Sequence, residues 1–208
     1  MKLRIASLLL LALSVAVIPA TAQTLYTNGP ANGSIDGWTI NFGFVISDTF
    51  TLSSASTVTG VDFNAWVFPG DVLENAEVSI TSSEFGGTTY SDQVVTFTQS
   101  SNCSVNQYAF DVCLESSSGM TPVNLAAGTY WLTLQNAVVN DGDPIYWDEN
   151  EGPSEASAAS IGTIPSESFT VVGTTSTSTT GTVPEPGSVL LFGSGILGFV
   201  GMIRRKPF

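Results

Sequence analysis

The sequence predicts an all-β protein: an antiparallel β-sandwich of jelly-roll-like type, with an N-terminal signal peptide and a single C-terminal transmembrane helix. Three observations predict the sandwich: alternation of period two recurs through the body, helical periodicity is scarce, and Gly, Ser, Asn and Asp clusters separate the alternating runs. Val61, Phe63, Ala65 and Val67 fall on one face of an extended strand, opposite Asp62, Asn64 and Trp66. Val78 and Ile80 alternate with Glu77 and Ser79, and Tyr108, Phe110, Val112 and Leu114 alternate with Ala109, Asp111, Cys113 and Glu115. Further strands are expected at Trp38–Asn41, Phe44–Leu52, Gln93–Thr98, Thr129–Gln135, Pro144–Trp147 and Phe169–Val172. Roughly eight or more short strands, each with one apolar face, imply two packed sheets. Single helical turns are expected at Val72–Ala76 and Ser154–Ser160.

The two ends read differently from the body. Lys2 and Arg4 precede an apolar run from Ile5 to Ile18, and Ala20-Thr21-Ala22 offers a small-residue cleavage site, so residues 1–22 read as a signal peptide. Residues 23–172, about 150 in all, suffice for one domain with its own core. Residues 173–182 are rich in Thr and Ser and read as a spacer, and residues 183–208 form a separate C-terminal segment.

Charge narrows the function. The chain has 5 basic and 18 acidic residues and no histidine, for a net charge of −13. All the basic residues sit at the ends, as Lys2, Arg4, Arg204, Arg205 and Lys206, so the body is a polyanion without a side-chain cation. Phosphate binding needs Lys or Arg, which excludes nucleic acid and an anionic membrane surface as partners of the body. Divalent cations, neutral polysaccharide and basic proteins stay compatible with it. Catalysis by Ser-His-Asp or Cys-His devices lacks its base, and zinc lacks its usual ligands. Only a carboxylate pair of the glycosidase kind is left, with no motif to select two acids. The chain therefore reads as non-catalytic, and no cofactor is required beyond the calcium considered next.

The densest acidic stretch runs from Asp141 to Gly152 and contains Asp141, Asp143, Asp148, Glu149 and Glu151, hard oxygen ligands of the kind calcium prefers. It is not an EF-hand, because Ile145 stands where a third ligand would fall and Gly152 where the bidentate Glu would be. Crowding of these acids leads one to expect carboxyl groups raised by like-charge repulsion. Trp66 and Trp131 fall on polar strand faces and are candidates to stack on sugar rings. Cys103 and Cys113 are expected to form a disulfide in an oxidising compartment. A straight strand would hold their Cα atoms roughly 33 Å apart, so the chain must fold back between them, most easily at Ser104–Gln107.

The C-terminal segment reads Val183-Pro184-Glu185-Pro186-Gly187-Ser188, then an uncharged apolar span over 188–203, then Arg204-Arg205-Lys206. This order closely resembles the PEP-CTERM sorting signal of exported bacterial proteins, which an intramembrane exosortase recognises. The resemblance implies recognition through Pro184, Glu185 and Pro186, with Arg204, Arg205 and Lys206 as a cytoplasmic stop. The span would be about 24 Å long as a helix against a hydrocarbon core of roughly 30 Å, a poor permanent anchor. The implied partners are the exosortase, signal peptidase and the secretion machinery, the inner membrane and, because such substrates accompany its production, exopolysaccharide. The implied location is an inner-membrane-held precursor facing the periplasm, and afterwards the envelope surface or extracellular matrix of a biofilm. The stretches Gly128–Ala137 and Tyr146–Asn150 also look like uncharacterised PEP-CTERM proteins, a likeness that names no activity. An exported non-catalytic envelope or matrix protein is thus the leading expectation, ahead of a surface carbohydrate-binding module and a carboxylate glycosidase.

Overall fold

The computed structural model describes residues 22–176, and over that range the chain forms strands and no helix. In chain order the strands are β1 (Gln23–Thr27), β2 (Gly37–Thr39), β3 (Val45–Leu52), β4 (Ser56–Val67), β5 (Leu73–Ser83), β6 (Gly86–Gln99), β7 (Ser104–Val105), β8 (Asp111–Ser118), β9 (Val123–Leu125), β10 (Gly128–Val139), β11 (Tyr146–Asp148), β12 (Ala156–Ala158), β13 (Gly162–Ile164) and β14 (Phe169–Thr175). The expected signal peptide, the apolar span over 188–203 and the residues Pro184, Glu185, Pro186, Arg204, Arg205 and Lys206 lie outside the described residues.

The strands join into one antiparallel ladder in the order β1-β14-β4-β8-β6-β5-β10-β3-β12-β13, where two separate sheets were expected. β7 pairs with β8, β9 pairs with β4, and β11 pairs with both β2 and β4. The ladder curls strongly: Tyr26 on β1 and Phe50 on β3, far apart along it, have ring centroids 6.2 Å apart. Curling answers the same demand as a sandwich, since it folds one apolar face onto itself.

That face is the one the alternation marks. Val61, Phe63, Ala65 and Val67 on β4 are buried, as are Val78 and Ile80 on β5 and Tyr130, Leu132 and Leu134 on β10. They enclose Trp147 and Phe169, whose rings stand edge to face at 5.6 Å, and Phe63 packs against Trp147 at 6.0 Å. Burying each large apolar side chain contributes roughly 1.5–3 kcal/mol.

Four expectations are corrected. Leu73–Ser83 is a strand, so Val72–Ala76 forms no helical turn; its apolar residues pair on the inner face with β10 and β6. Ala156–Ala158 is likewise a short strand on β3 rather than a turn of helix over Ser154–Ser160. β14 runs on to Thr175, pairing Gly173, Thr174 and Thr175 with β4, so the ladder takes in residues assigned to the spacer. Backbone pairing overrode composition there: Thr is a good strand residue, and a Cβ on Gly173 would lie 2.1 Å from the Thr57 carbonyl oxygen.

The fourth correction is the facing of β8. Leu114 is exposed, while Cys113 and Glu115 are fully buried opposite Ala65 and Phe63 of β4. The side-chain period is two, so a reading displaced by one residue reverses every side chain. Cys113 lies inward because it is bonded to Cys103, with Cα atoms 4.5 Å apart. The chain does fold back between them, slightly later than expected: β7 pairs with the start of β8, and Asn106 N donates to Phe110 O at 2.9 Å.

Candidate functional site

The acidic stretch divides into two places. Asp141 and Asp143 sit in the loop after β10 and meet Asp71, from the loop between β4 and β5. One carboxylate oxygen from each lies within 4.8 Å of the others. Backbone and side-chain bonds hold the two loops in register: Val72 N donates to Asn140 Oδ1 at 2.9 Å, and Asn140 N returns a bond to Val72 O at 3.1 Å. Asn41 Nδ2 donates to Asp143 O at 2.9 Å, and Asp143 N to Asp141 Oδ1 at 3.2 Å. Asp141 and Asp143 are exposed, whereas Asp71 is 5 % exposed and its Oδ2 accepts no hydrogen bond. Its carboxyl is pushed up to about 6, first by loss of water, then by Asp141 and the charge of Asp143.

Asp148 and Glu149 are elsewhere, in a buried polar network that ties the segment before β2 to β11 and to the segment before β14. Asp148 Oδ2 accepts Asn32 N at 2.7 Å, and its Oδ1 accepts Gly33 N at 2.7 Å and the Trp66 indole N–H. Asp48 Oδ2 accepts Glu167 N at 2.7 Å and Asn28 Nδ2 at 3.3 Å. Trp38 Nε1 donates to Glu149 Oε2 at 2.9 Å. Burial raises the Asp148 carboxyl against the opposing pull of Trp66, Asn32 and Gly33, and it raises Glu149 before Asp36 and Asp148 add to it. The leading cause is therefore lost hydration, not the like-charge repulsion that crowding in the sequence suggested. Asp48 is pushed up to about 6 by burial, against bonds from Ser154, Glu167 and Thr49. Glu167 is fully buried with neither carboxylate oxygen partnered, and burial followed by the charges of Asp48, Glu149, Asp148 and Asp36 raises it well above the ordinary range. Glu151 is exposed in the loop that follows.

The aromatic candidates also separate. Trp66 is 4 % exposed, not presented on a polar face, because the Gly37 segment closes over its ring: a Cβ on Gly37 would stand 3.2 Å from Trp66 Cδ2. Its indole stacks on Tyr108 with centroids 5.8 Å apart and packs on Phe110 at 6.1 Å. Phe110 continues to Phe68 at 4.7 Å and Tyr146 at 5.4 Å with the rings steeply inclined, so the cluster exposes the rings of Tyr108 and Phe68, with Trp66 behind Tyr108. Trp131 is half-buried on β10, opposite Thr49 and Thr81. The two tryptophans do not share this surface.

Asp71, Asp48 and Glu167 escaped the sequence reading, and Tyr108 entered it only as a residue of an alternating strand. Asp71 follows a Pro-Gly turn, its nearest acid in sequence, Glu74, lies on β5 and takes no part in the cluster, and only the β4–β5 and β10–β11 loops bring Asp71 to Asp141.

The comparison with known families addresses the other end of the chain. Residues 182–206 match the PEP-CTERM protein-sorting motif. The chain carries a PEP-CTERM sorting signal. That motif implies an exported protein, processed at the membrane by an exosortase and destined for the cell surface. The match takes in Pro184, Glu185, Pro186, Arg204, Arg205 and Lys206, the residues singled out by their order along the sequence. No curated protein and no solved structure matches the chain.

Proposed function

We propose that this PEP-CTERM protein is a non-catalytic component of the cell envelope or extracellular matrix that accompanies exopolysaccharide. The sorting motif over 182–206 is the observation that carries the reading. In this reading a signal peptide over 1–22 brings the chain to the secretion machinery, and the apolar span holds the precursor in the inner membrane with its body in the periplasm. Arg204, Arg205 and Lys206 keep the C-terminus cytoplasmic, and the exosortase acts at Pro184-Glu185-Pro186. The bonded Cys103–Cys113 pair suits the oxidising compartment that such a route requires. The body has no histidine, and both cysteines are bonded, so histidine- and thiolate-based devices have no groups to use.

The test is a fusion of residues 174–208 to a signal-peptide-bearing reporter. A host without exosortase should hold a membrane-bound precursor, and a host with it should yield a shorter product. Glu185→Ala should leave insertion intact, because the span is unchanged, and block the shortening. Equal shortening of the Glu185→Ala fusion would reduce the tail to a simple anchor.

One observation favours carbohydrate binding as a second reading: the ledge of Tyr108, Phe68, Phe110 and Tyr146 backed by Trp66. The rings are inclined to one another, so the flat apolar face a pyranose ring suits is that of Tyr108 alone, stacked at 29° on Trp66. Neutral-glycan binding that Tyr108→Ala abolishes and Trp131→Ala spares would establish it; binding indifferent to Tyr108 would remove it.

A further inference from the structure

We propose that Asp71, Asp141 and Asp143 ligate one calcium ion that ties the β4–β5 loop to the β10–β11 loop. Two independent observations meet here. Carboxylates from two loops distant in sequence converge until an oxygen of each lies within 4.8 Å of the others. One of those side chains, Asp71, is 5 % exposed, contributes a carboxylate oxygen to the cluster, and has a buried oxygen, Oδ2, that receives no hydrogen bond. A buried carboxylate oxygen without a donor is costly unless something positive or a proton answers it. The body offers nothing positive, because no Lys, Arg or His lies between residues 5 and 203.

The spacing suits calcium. Oxygens at 2.3–2.6 Å from a common ion stand up to about 5 Å apart across it, and calcium accepts six to eight such ligands in loose geometry. Magnesium demands a tighter octahedron at 2.0–2.1 Å and gives up its water reluctantly. Asp141 and Asp143 are exposed, so water can complete the shell. The loops are already braced by the paired Val72–Asn140 bonds and by Asn41 on Asp143 O, which reduces the ordering that binding must impose. Of the five acids that stand together in sequence, Asp141 and Asp143 keep this role, while Asp148 and Glu149 are committed to N–H donors of the protein itself. The site would fill outside the cell, where calcium is abundant, so loading would follow export.

Calcium chloride titrated into the full-length protein in detergent should register one ion per chain, with a dissociation constant of about 10⁻⁴–10⁻³ M, the range of extracellular modules. Calcium should raise the melting temperature well beyond magnesium at equal ionic strength. Asp71→Asn should weaken calcium binding at least tenfold. Asp141→Asn should do the same at an exposed position where folding is not at risk, and Glu151→Gln, an exposed acid outside the triad, should bind as the parent does. Equal shifts from the two ions, unchanged affinity in Asp141→Asn, or a loss in Glu151→Gln as large as in Asp141→Asn would each reduce the effect to general screening and overturn the proposal.

Discussion

Replacing Glu115 by Gln should make the protein more stable, and increasingly so as pH rises. Glu115 lies on β8 with no solvent exposure, opposite Phe63 on β4 and Gln99 on β6, and neither carboxylate oxygen has a partner. Burial alone pushes its carboxyl from 4.5 up to about 8. A raised folded-state value means that the contribution to stability is fully present below the unfolded value, near 4.5, and is lost as pH rises to about 8. At 1.36 kcal/mol for each tenfold change in proton affinity, the rise from 4.5 to about 8 means that ionisation costs the folded state about 5 kcal/mol above pH 8. Gln has nearly the same shape and cannot ionise. Its amide can also donate across the strands toward Gln99 Oε1, itself buried and unpartnered.

Thermal unfolding of the full-length parent and Glu115→Gln, followed by circular dichroism from pH 4 to 9, isolates this group from the other raised carboxyls, which both proteins share. The two melting temperatures should coincide near pH 4 and diverge toward pH 9. At about 2–4 °C per kcal/mol for a domain of this size, the separation should reach roughly 10–20 °C. A difference that stays flat across the range, or a variant less stable at pH 9, would refute the reasoning.

Other perturbations have equally definite outcomes. Phe42 holds φ at +55° in the turn from Asn41 to Phe44 and is 64 % exposed, so Phe42→Asn should raise the melting temperature by relieving about 1 kcal/mol of left-handed strain. Asp148→Asn removes the charge that gathers Asn32 N, Gly33 N and the Trp66 indole, and should cost about 2–4 kcal/mol in urea unfolding, with faster amide exchange at Gly33. Reducing Cys103–Cys113 should cost about 2–3 kcal/mol in the loop-entropy picture without unfolding the domain, because the core does not depend on it. Thiol alkylation of native protein without reductant should find nothing to label.

The strands were legible wherever one face is apolar and the other polar, as in β4, β10 and the part of β5 around Val78 and Ile80, whereas the start of β5 was expected as a helical turn. β8 was not: Val112, Cys113 and Leu114 put apolar residues on both faces, and only the bond to Cys103 shows which one turns inward. Very short strands such as β7, β9 and β13 carry too few residues for a period to show, and their pairing is imposed by neighbours. The sorting signal was legible because its parts are contiguous in sequence, so their order is itself the observation. A site assembled from loops has no such order. Asp141 and Asp143 stood out by density, Asp71 was silent, and Asp148 was misplaced because adjacent residues on β11 point to opposite sides.

With no basic side chain in the body, every buried acid must be answered in another way, and each answer leaves a different functional signature. Asp48 and Asp148 are met by amide and indole N–H groups, which fixes loops in place at the expense of lost hydration. Glu115 and Glu167 find no donor at all, so a proton is the only neutralising partner the fold gives them, and their stability contribution fades as the medium turns alkaline. Asp71 lies between these cases: it is covered, but two exposed carboxylates connect it to solvent, so a cation from outside can reach it. A domain built this way is most stable in mildly acidic, cation-rich surroundings, and calcium should matter most near and above neutral pH, where the proton no longer competes for Asp71. Melting curves with and without calcium at pH 5 and pH 8 should therefore show the larger calcium shift at pH 8, and a larger shift at pH 5 would contradict the assignment of these roles.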